Sequence, residues 1–133
     1  MSFKNIALIT SIIALILGIG YLFFGSVVIG RWQIEPTENV LLIGRRIGSF
    51  YLGLSLIFFL ARSIPLSIAR KALTIGASFT LSLLAFLSIY EYTAARVGSG
   101  ILVSAIIEFL LSVGYIIIFF KDRKASIKEL VSN

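Results

Sequence analysis

The chain has 133 residues, a hydrophobic content of 59% and a formal net charge of +6. Its mean hydropathy of +1.06 excludes an ordinary soluble domain, which would expose too much apolar surface to water. It contains no cysteine and no histidine, which excludes disulfides, thiol chemistry, histidine bases and the usual zinc sites. The acidic residues are scattered, so we expect no metal site and no cofactor.

Four apolar runs predict an all-α fold, a single-domain antiparallel bundle of four transmembrane helices within residues 1–120. A helix needs about 20 residues to cross a bilayer core of about 30 Å. The predicted helices cover residues 6–30, 40–61, 68–90 and 97–120. The first run, about 25 residues, is too long for the apolar core of a secretory leader, so we interpret it as a retained helix. Residues 121–133 are predicted to form a charged cytoplasmic tail.

The basic residues predict the orientation of this bundle. Lysine and arginine accumulate on cytoplasmic segments, and one side of the predicted bundle carries Lys4, Arg62, Arg70, Lys71, Lys121, Arg123, Lys124 and Lys128. The other side carries Arg31, Arg45, Arg46 and Arg96. We therefore expect a multi-pass protein of the inner membrane with both termini in the cytoplasm. Because the positive charge is explained by membrane insertion, we expect no nucleic-acid partner.

Glu108 is the acidic residue that lies within an apolar run. It is about ten residues into the fourth predicted helix, roughly 15 Å from Gly98 and so near mid-membrane. Helical spacing predicts a polar stripe with Ser104, Ser112 and Tyr115 on the same side. An intramembrane acid usually faces a bundle interior, a cavity or a partner. Two interpretations follow: a proton, cation or ligand site, or a structural glutamic acid bonded to a neighbouring helix.

Arginines near the predicted outer interface suggest a second site. Arg45 and Arg46 lie inside the second predicted helix, and Arg96 lies before the fourth, close to Glu91. Arginine suits carboxylate and phosphate geometry, so these residues are candidates for binding an anion or a phospholipid head group. The alternative is that they extend to the interface and form ion pairs. Three tyrosines, Tyr21, Tyr51 and Tyr115, either form hydrogen bonds inside the bundle or line a ligand pocket.

Residues 39–62 carry a resemblance to a known group. The pattern consists of Asn39, then Gly44-Arg45-Arg46-Ile47-Gly48, Leu52-Gly53-Leu54-Ser55-Leu56 and Ala61-Arg62. It resembles the second-helix pattern of small bacterial membrane proteins near the DoxX-like group. The resemblance implies a four-helix bundle in the bacterial inner membrane, and an acid in the last helix is compatible with it. It implies no particular reaction.

Three functions are compatible with these features. We expect a protein that binds a lipid or another amphipathic anion between its helices near the outer interface, with membrane lipids as partners. The alternatives are a proton- or cation-coupled transporter or channel subunit that uses Glu108, and a structural or accessory subunit. Small residues spaced four apart allow close helix packing and are compatible with a homo-oligomer. We expect no catalytic residues, because the sequence shows no arrangement of a nucleophile and a base.

Overall fold

The computed structural model describes the backbone of residues 2–132 and the side chains of residues 2–125. Within these residues the fold is all-α, as predicted, and consists of α1 (Phe3–Phe23), α2 (Gly25–Gly30), α3 (Glu38–Ala61), α4 (Ile68–Thr93) and α5 (Ile101–Ser132). Four of these helices, α1, α3, α4 and α5, are long and apolar enough to cross a membrane.

Large apolar side chains cover the outside of the bundle, which is the surface that lipid tails would contact. Phe50, Phe79 and Phe86, for example, each expose 68–69% of their surface. In water such a surface would drive association, whereas in a bilayer it has no such cost. The chain is therefore a multi-pass membrane protein.

Hydroxyl side chains mark the start of three of the long helices. Ser2 accepts a hydrogen bond from the backbone N–H of Asn5 at 3.3 Å, and Ser67 accepts one from Arg70 at 3.3 Å. Thr37 does the same for Val40 at 3.4 Å. Each cap satisfies a backbone donor that has no partner within its own helix, which stabilises the helix by about 1 kcal/mol.

The first predicted helix is interrupted. The sequence predicts a continuous helix over residues 6–30, but the backbone turns at Phe24, where φ is −126° and ψ is 31°. Gly25 and Ser26 follow directly, and both favour a break because glycine costs conformational entropy in a helix and serine competes for backbone hydrogen bonds. As a result α1 alone spans the bundle, and the short α2 lies at its end.

The start of the last helix also differs from the sequence prediction. It begins at Ile101 rather than at residue 97, because the preceding loop is held against the segment after α2. The N–H of Gly98 donates a 2.7 Å hydrogen bond to the carbonyl of Trp32. A Cβ atom on Gly100 would clash with the carbonyl oxygen of Arg31. At the other end, the backbone of α5 continues through the predicted tail to Ser132.

The bundle consists of two antiparallel helix pairs. The first pairs α1 with α3, and the second pairs α4 with α5, while α1 and α5 make the main contact between the pairs. Gly18 and Gly48 meet where α1 crosses α3, so closely that a Cβ on Gly48 would lie 2.9 Å from the Gly18 carbonyl oxygen. Ser11 and Ser55 each donate a 2.9 Å hydrogen bond to the other's carbonyl. This arrangement leaves α3 and α4 without extensive direct packing.

The bundle has two ends. The terminal face comprises residues 2–4, 62–71 and 118–125, and the opposite face comprises residues 24–38 and 94–100. The main hydrophobic cluster lies towards the terminal face, where Phe3, Ile6, Phe58, Tyr115 and Ile118 are all buried.

Candidate functional site

A cavity of about 420 Å³ separates the two helix pairs. Residues of α1, α3 and α4 form most of its wall, and α5 contributes Glu108. The lining is mainly aliphatic, with Leu17, Leu54, Ile57, Leu81 and Leu84 among its residues. Ligand pockets typically measure about 300–1,000 Å³ and combine apolar walls with a few polar groups, so this intramembrane cavity has the size and character of a binding site.

Four polar side chains interrupt the apolar wall of this cavity. They are Thr10 of α1, Tyr51 of α3, Thr80 of α4 and Glu108 of α5. Glu108 is the one acidic or basic residue among them. Any polar group of a molecule inside the cavity would therefore meet a carboxyl group, two hydroxyls and a phenol.

Glu108 lies in the first half of α5. Since α5 begins at Ile101, Glu108 is seven residues, or about 10 Å, from the start of the helix. Its side chain is half-buried, and Ser88 of α4 donates a long hydrogen bond of 3.4 Å to its carboxylate. Among the described side chains this long contact is the one hydrogen bond of the carboxyl group, so most of its hydrogen-bonding capacity is available to a ligand.

The rest of the predicted stripe on α5 has a different environment. Ser112 is buried against α4, with its Oγ 2.7 Å from Ser82 Oγ and donating to the Ser78 carbonyl at 3.0 Å. Tyr115 is completely buried and donates a 2.9 Å hydrogen bond to Thr10 Oγ1. Ser104 is half-buried one turn before Glu108. Ser112 and Tyr115 therefore join helices, and Glu108 is the stripe residue that lines the cavity.

The predicted arginine site is divided into separate ion pairs. Arg45 lies 3.6 Å from Glu38 of its own helix, with both side chains largely exposed. Arg96 lies 3.0 Å from Glu91, and this hydrogen bond raises the pKa of Arg96 above its ordinary value. Arg46 is exposed to the surroundings. None of these residues lines the intramembrane cavity.

Tyr21 and Tyr51 lie between the intramembrane cavity and a smaller cavity beside Arg45. The two rings are stacked, with their centroids 6.1 Å apart. Tyr51 lines the intramembrane cavity, whereas Tyr21 lines the second cavity of about 300 Å³, together with Ser26, Glu38 and Arg45. The aromatic pair thus lies between the polar opposite face and the apolar interior.

The sequence does not mark Thr10, Gly76 or Thr80 as residues of the cavity, although all three line it. Each lies in an apolar run without a distinctive neighbour, and its place in the wall depends on which helices pack together. Within the described part of the chain, no three metal-binding side chains come together.

Comparisons with protein-family models, with curated proteins and with solved structures give no match to this chain.

Proposed function

We propose that this membrane protein binds an apolar molecule whose head group donates hydrogen bonds, such as a long-chain amine or alcohol, in the intramembrane cavity. The observation that supports this proposal is the placement of one carboxyl group, Glu108, in the wall of an otherwise apolar cavity of about 420 Å³. A carboxylate accepts hydrogen bonds from hydroxyls and amines, and such charge-assisted bonds are strong where water is scarce.

The polar group of the ligand differs from the anion expected from the sequence. Arg45, Arg46 and Arg96 do not line the cavity, so the groups suited to an anion lie elsewhere. Glu108 offers no positive charge to an anionic head group, and its ionised form would repel one, since like charges in a poorly hydrated site are unfavourable. The apolar part of the ligand would lie along α3 and α4, which do not pack extensively against each other.

The distribution of basic residues supports an orientation in which both termini face the cytoplasm. The membrane proposed is a bacterial inner membrane. Glu108 would then lie in the outer half of the bilayer. The chain contains no cysteine, so single substitutions at two exposed serines, Ser63→Cys on the terminal face and Ser99→Cys on the opposite face, report orientation. In intact spheroplasts a membrane-impermeant maleimide should label Ser99→Cys and spare Ser63→Cys; the reverse pattern would contradict this orientation.

A pair of glycine variants tests ligand binding with a matched control. Gly76 lines the cavity, and a Cβ at this position meets no atom within 4 Å, so Gly76→Leu places its side chain in the cavity without a backbone clash. Gly53 of α3 has equally open surroundings but does not line the cavity. Native mass spectrometry of the detergent-solubilised protein should show dodecylamine bound to the wild type and to Gly53→Leu. Gly76→Leu should lose at least about tenfold in affinity, as expected when a ligand loses about 1.4 kcal/mol of contacts.

Replacing Glu108 distinguishes the contribution of the ligand's head group to binding from that of its alkyl chain. Glu108→Gln should weaken dodecylamine binding about tenfold or more, because a hydrogen bond to a charged group contributes about 1.5–3 kcal/mol. The same variant should weaken dodecanol binding less. It should also improve the affinity for dodecanoate relative to that for dodecylamine. Equal dodecylamine binding by the wild type, Gly76→Leu and Glu108→Gln would reject the proposal. Glu108-dependent proton flux in liposomes without dodecylamine binding would instead favour the transport alternative.

A further inference from the structure

A second cavity, of about 670 Å³, lies at the terminal face and has a different character. Its wall is formed by the start of α1, the turn after α3, the first turn of α4 and the part of α5 near Asp122. Four of its lining residues are basic, namely Lys4, Arg62, Arg70 and Lys121, and one, Asp122, is acidic. The wall therefore carries a clear excess of positive charge.

The ion pairs of the described side chains leave most of this charge uncompensated. Arg70 and Asp122 pair with each other at 2.7 Å, and their side chains are only 19% and 18% exposed. Lys4, Arg62 and Lys121 take part in none of the ion pairs formed among residues 2–125. Cations grouped in this way repel one another, and an anion between them would remove that repulsion.

The two arginines are held in place by aromatic rings. The guanidinium carbon of Arg70 lies 4.8 Å from the centroid of the Phe3 ring, and that of Arg62 lies 3.8 Å from the Phe59 ring. Arg62 also donates a hydrogen bond to the Phe59 carbonyl. The Nε of Arg70 is buried and has no hydrogen-bond partner among residues 2–125. Rigidly held arginines lose little entropy when they bind a phosphate, and their fork geometry suits its oxygens.

The cavity is bordered by the first residues of α1 and by the turn that follows α3. The apolar spans of these two helices begin and end there, which is the level at which lipid head groups are expected. Ile64 and Ile118 also line it, so a molecule in this place would meet apolar and charged groups together. Basic pockets between transmembrane helices at this level are suited to anionic lipid head groups.

We infer that the terminal-face cavity binds the phosphate group of an anionic phospholipid, with Arg62 and Arg70 as fixed partners and Lys4 and Lys121 as mobile ones. This site is separate from the intramembrane cavity and does not depend on the function proposed for it. The group recognised is a phosphate, which either a phospholipid or a soluble compound can supply. The binding of these two sources must therefore be compared.

Four exposed lysines on this side of the bundle allow a matched test. Lys4 and Lys121 line the cavity, whereas Lys71 and Lys124 are on the same face but do not line it. The variants Lys4→Gln/Lys121→Gln and Lys71→Gln/Lys124→Gln therefore lose the same charge. Native mass spectrometry of nanodisc-released protein would measure retained phosphatidylglycerol against phosphatidylcholine. We expect the cavity pair to lose about tenfold or more in phosphatidylglycerol retention, given the contribution of each basic residue near a membrane surface, and the control pair to change by less than about threefold.

Arg62→Gln provides a further variant, since Arg62 lies in the turn after α3 and makes no ion pair among the described side chains. It should weaken phosphatidylglycerol retention strongly, while thermal stability in dodecyl maltoside falls only slightly, because the lost contacts with Phe59 lie at the exposed end of α3. Equal losses of phosphatidylglycerol retention in the two double lysine variants would show a diffuse attraction to the membrane surface and would overturn the proposal. Equally tight binding of soluble glycerol phosphate in detergent would overturn the lipid assignment, because the acyl chains would then contribute nothing.

Discussion

Replacing Gly48 with alanine is expected to lower the free energy of unfolding by about 1–3 kcal/mol, the usual cost of overpacking. The added Cβ would lie 2.9 Å from the Gly18 carbonyl oxygen and 2.9 Å from the Tyr21 Cβ. A backbone oxygen cannot rotate away as a side chain does, so α1 and α3 must separate. Unfolding in mixed micelles of sodium dodecyl sulfate measures the loss.

Gly53 provides the matched control within the same helix. A Cβ at Gly53 has no atom within 4 Å, so Gly53→Ala should be neutral or stabilise by up to about 1 kcal/mol, the difference in helix propensity. The single tryptophan gives a second measurement, because the ring centroid of Trp32 lies 6.2 Å from that of Tyr21. Its fluorescence should change in Gly48→Ala alone. Equal stabilities of the two variants would show that the helices do not cross as closely as described.

Removing the carboxylate of Asp122 should lower the free energy of unfolding by about 3 kcal/mol. This value is near the lower end of the range for breaking a buried ion pair. In Asp122→Ala the guanidinium of Arg70 keeps its charge but loses its 2.7 Å partner in a mostly buried position. Arginine cannot become neutral to escape this cost. The free energy of unfolding should be measured in an uncharged detergent without lipid, so that no anionic head group takes the place of the carboxylate.

Glu38→Ala is the control for this prediction. It removes the carboxylate of an exposed pair, in which Glu38 and Arg45 expose 90% and 51% of their side chains at a separation of 3.6 Å. Surface pairs of this kind contribute about 0–1 kcal/mol, so stability should change little. A loss in Asp122→Ala no larger than that in Glu38→Ala would contradict a mainly buried pair. A double variant, Arg70→Met/Asp122→Leu, should recover most of the loss, because neither member of this pair then carries a charge.

The all-α fold with four long apolar helices could be read from the chain itself. In a bilayer the backbone must satisfy its own hydrogen bonds, and an apolar run of this length can do so only as a helix. The stripe on α5 followed from the helical repeat, which places Glu108 and Ser112 one turn apart on the same side. The break at Phe24 and the later start at Ile101 did not follow, since both depend on local packing and loop contacts.

Which helices are neighbours was decided by the tertiary structure. Leucine and isoleucine pack almost as well against lipid tails as against each other, so apolar sequence alone does not select a partner helix. The close approach of Gly18 to Gly48 and the reciprocal bonds of Ser11 and Ser55 pair α1 with α3.

The two cavities are a consequence of that pairing. Lys4 and Lys121 line one cavity, and Thr10 and Glu108 line the other, although the members of each pair are about a hundred residues apart in the chain. The sequence by itself determined that the chain crosses a membrane and that Glu108 lies within a span. The shape and charge around each site were decided by the packing of distant segments, because a cavity exists only where specific helices fail to fill the space between them.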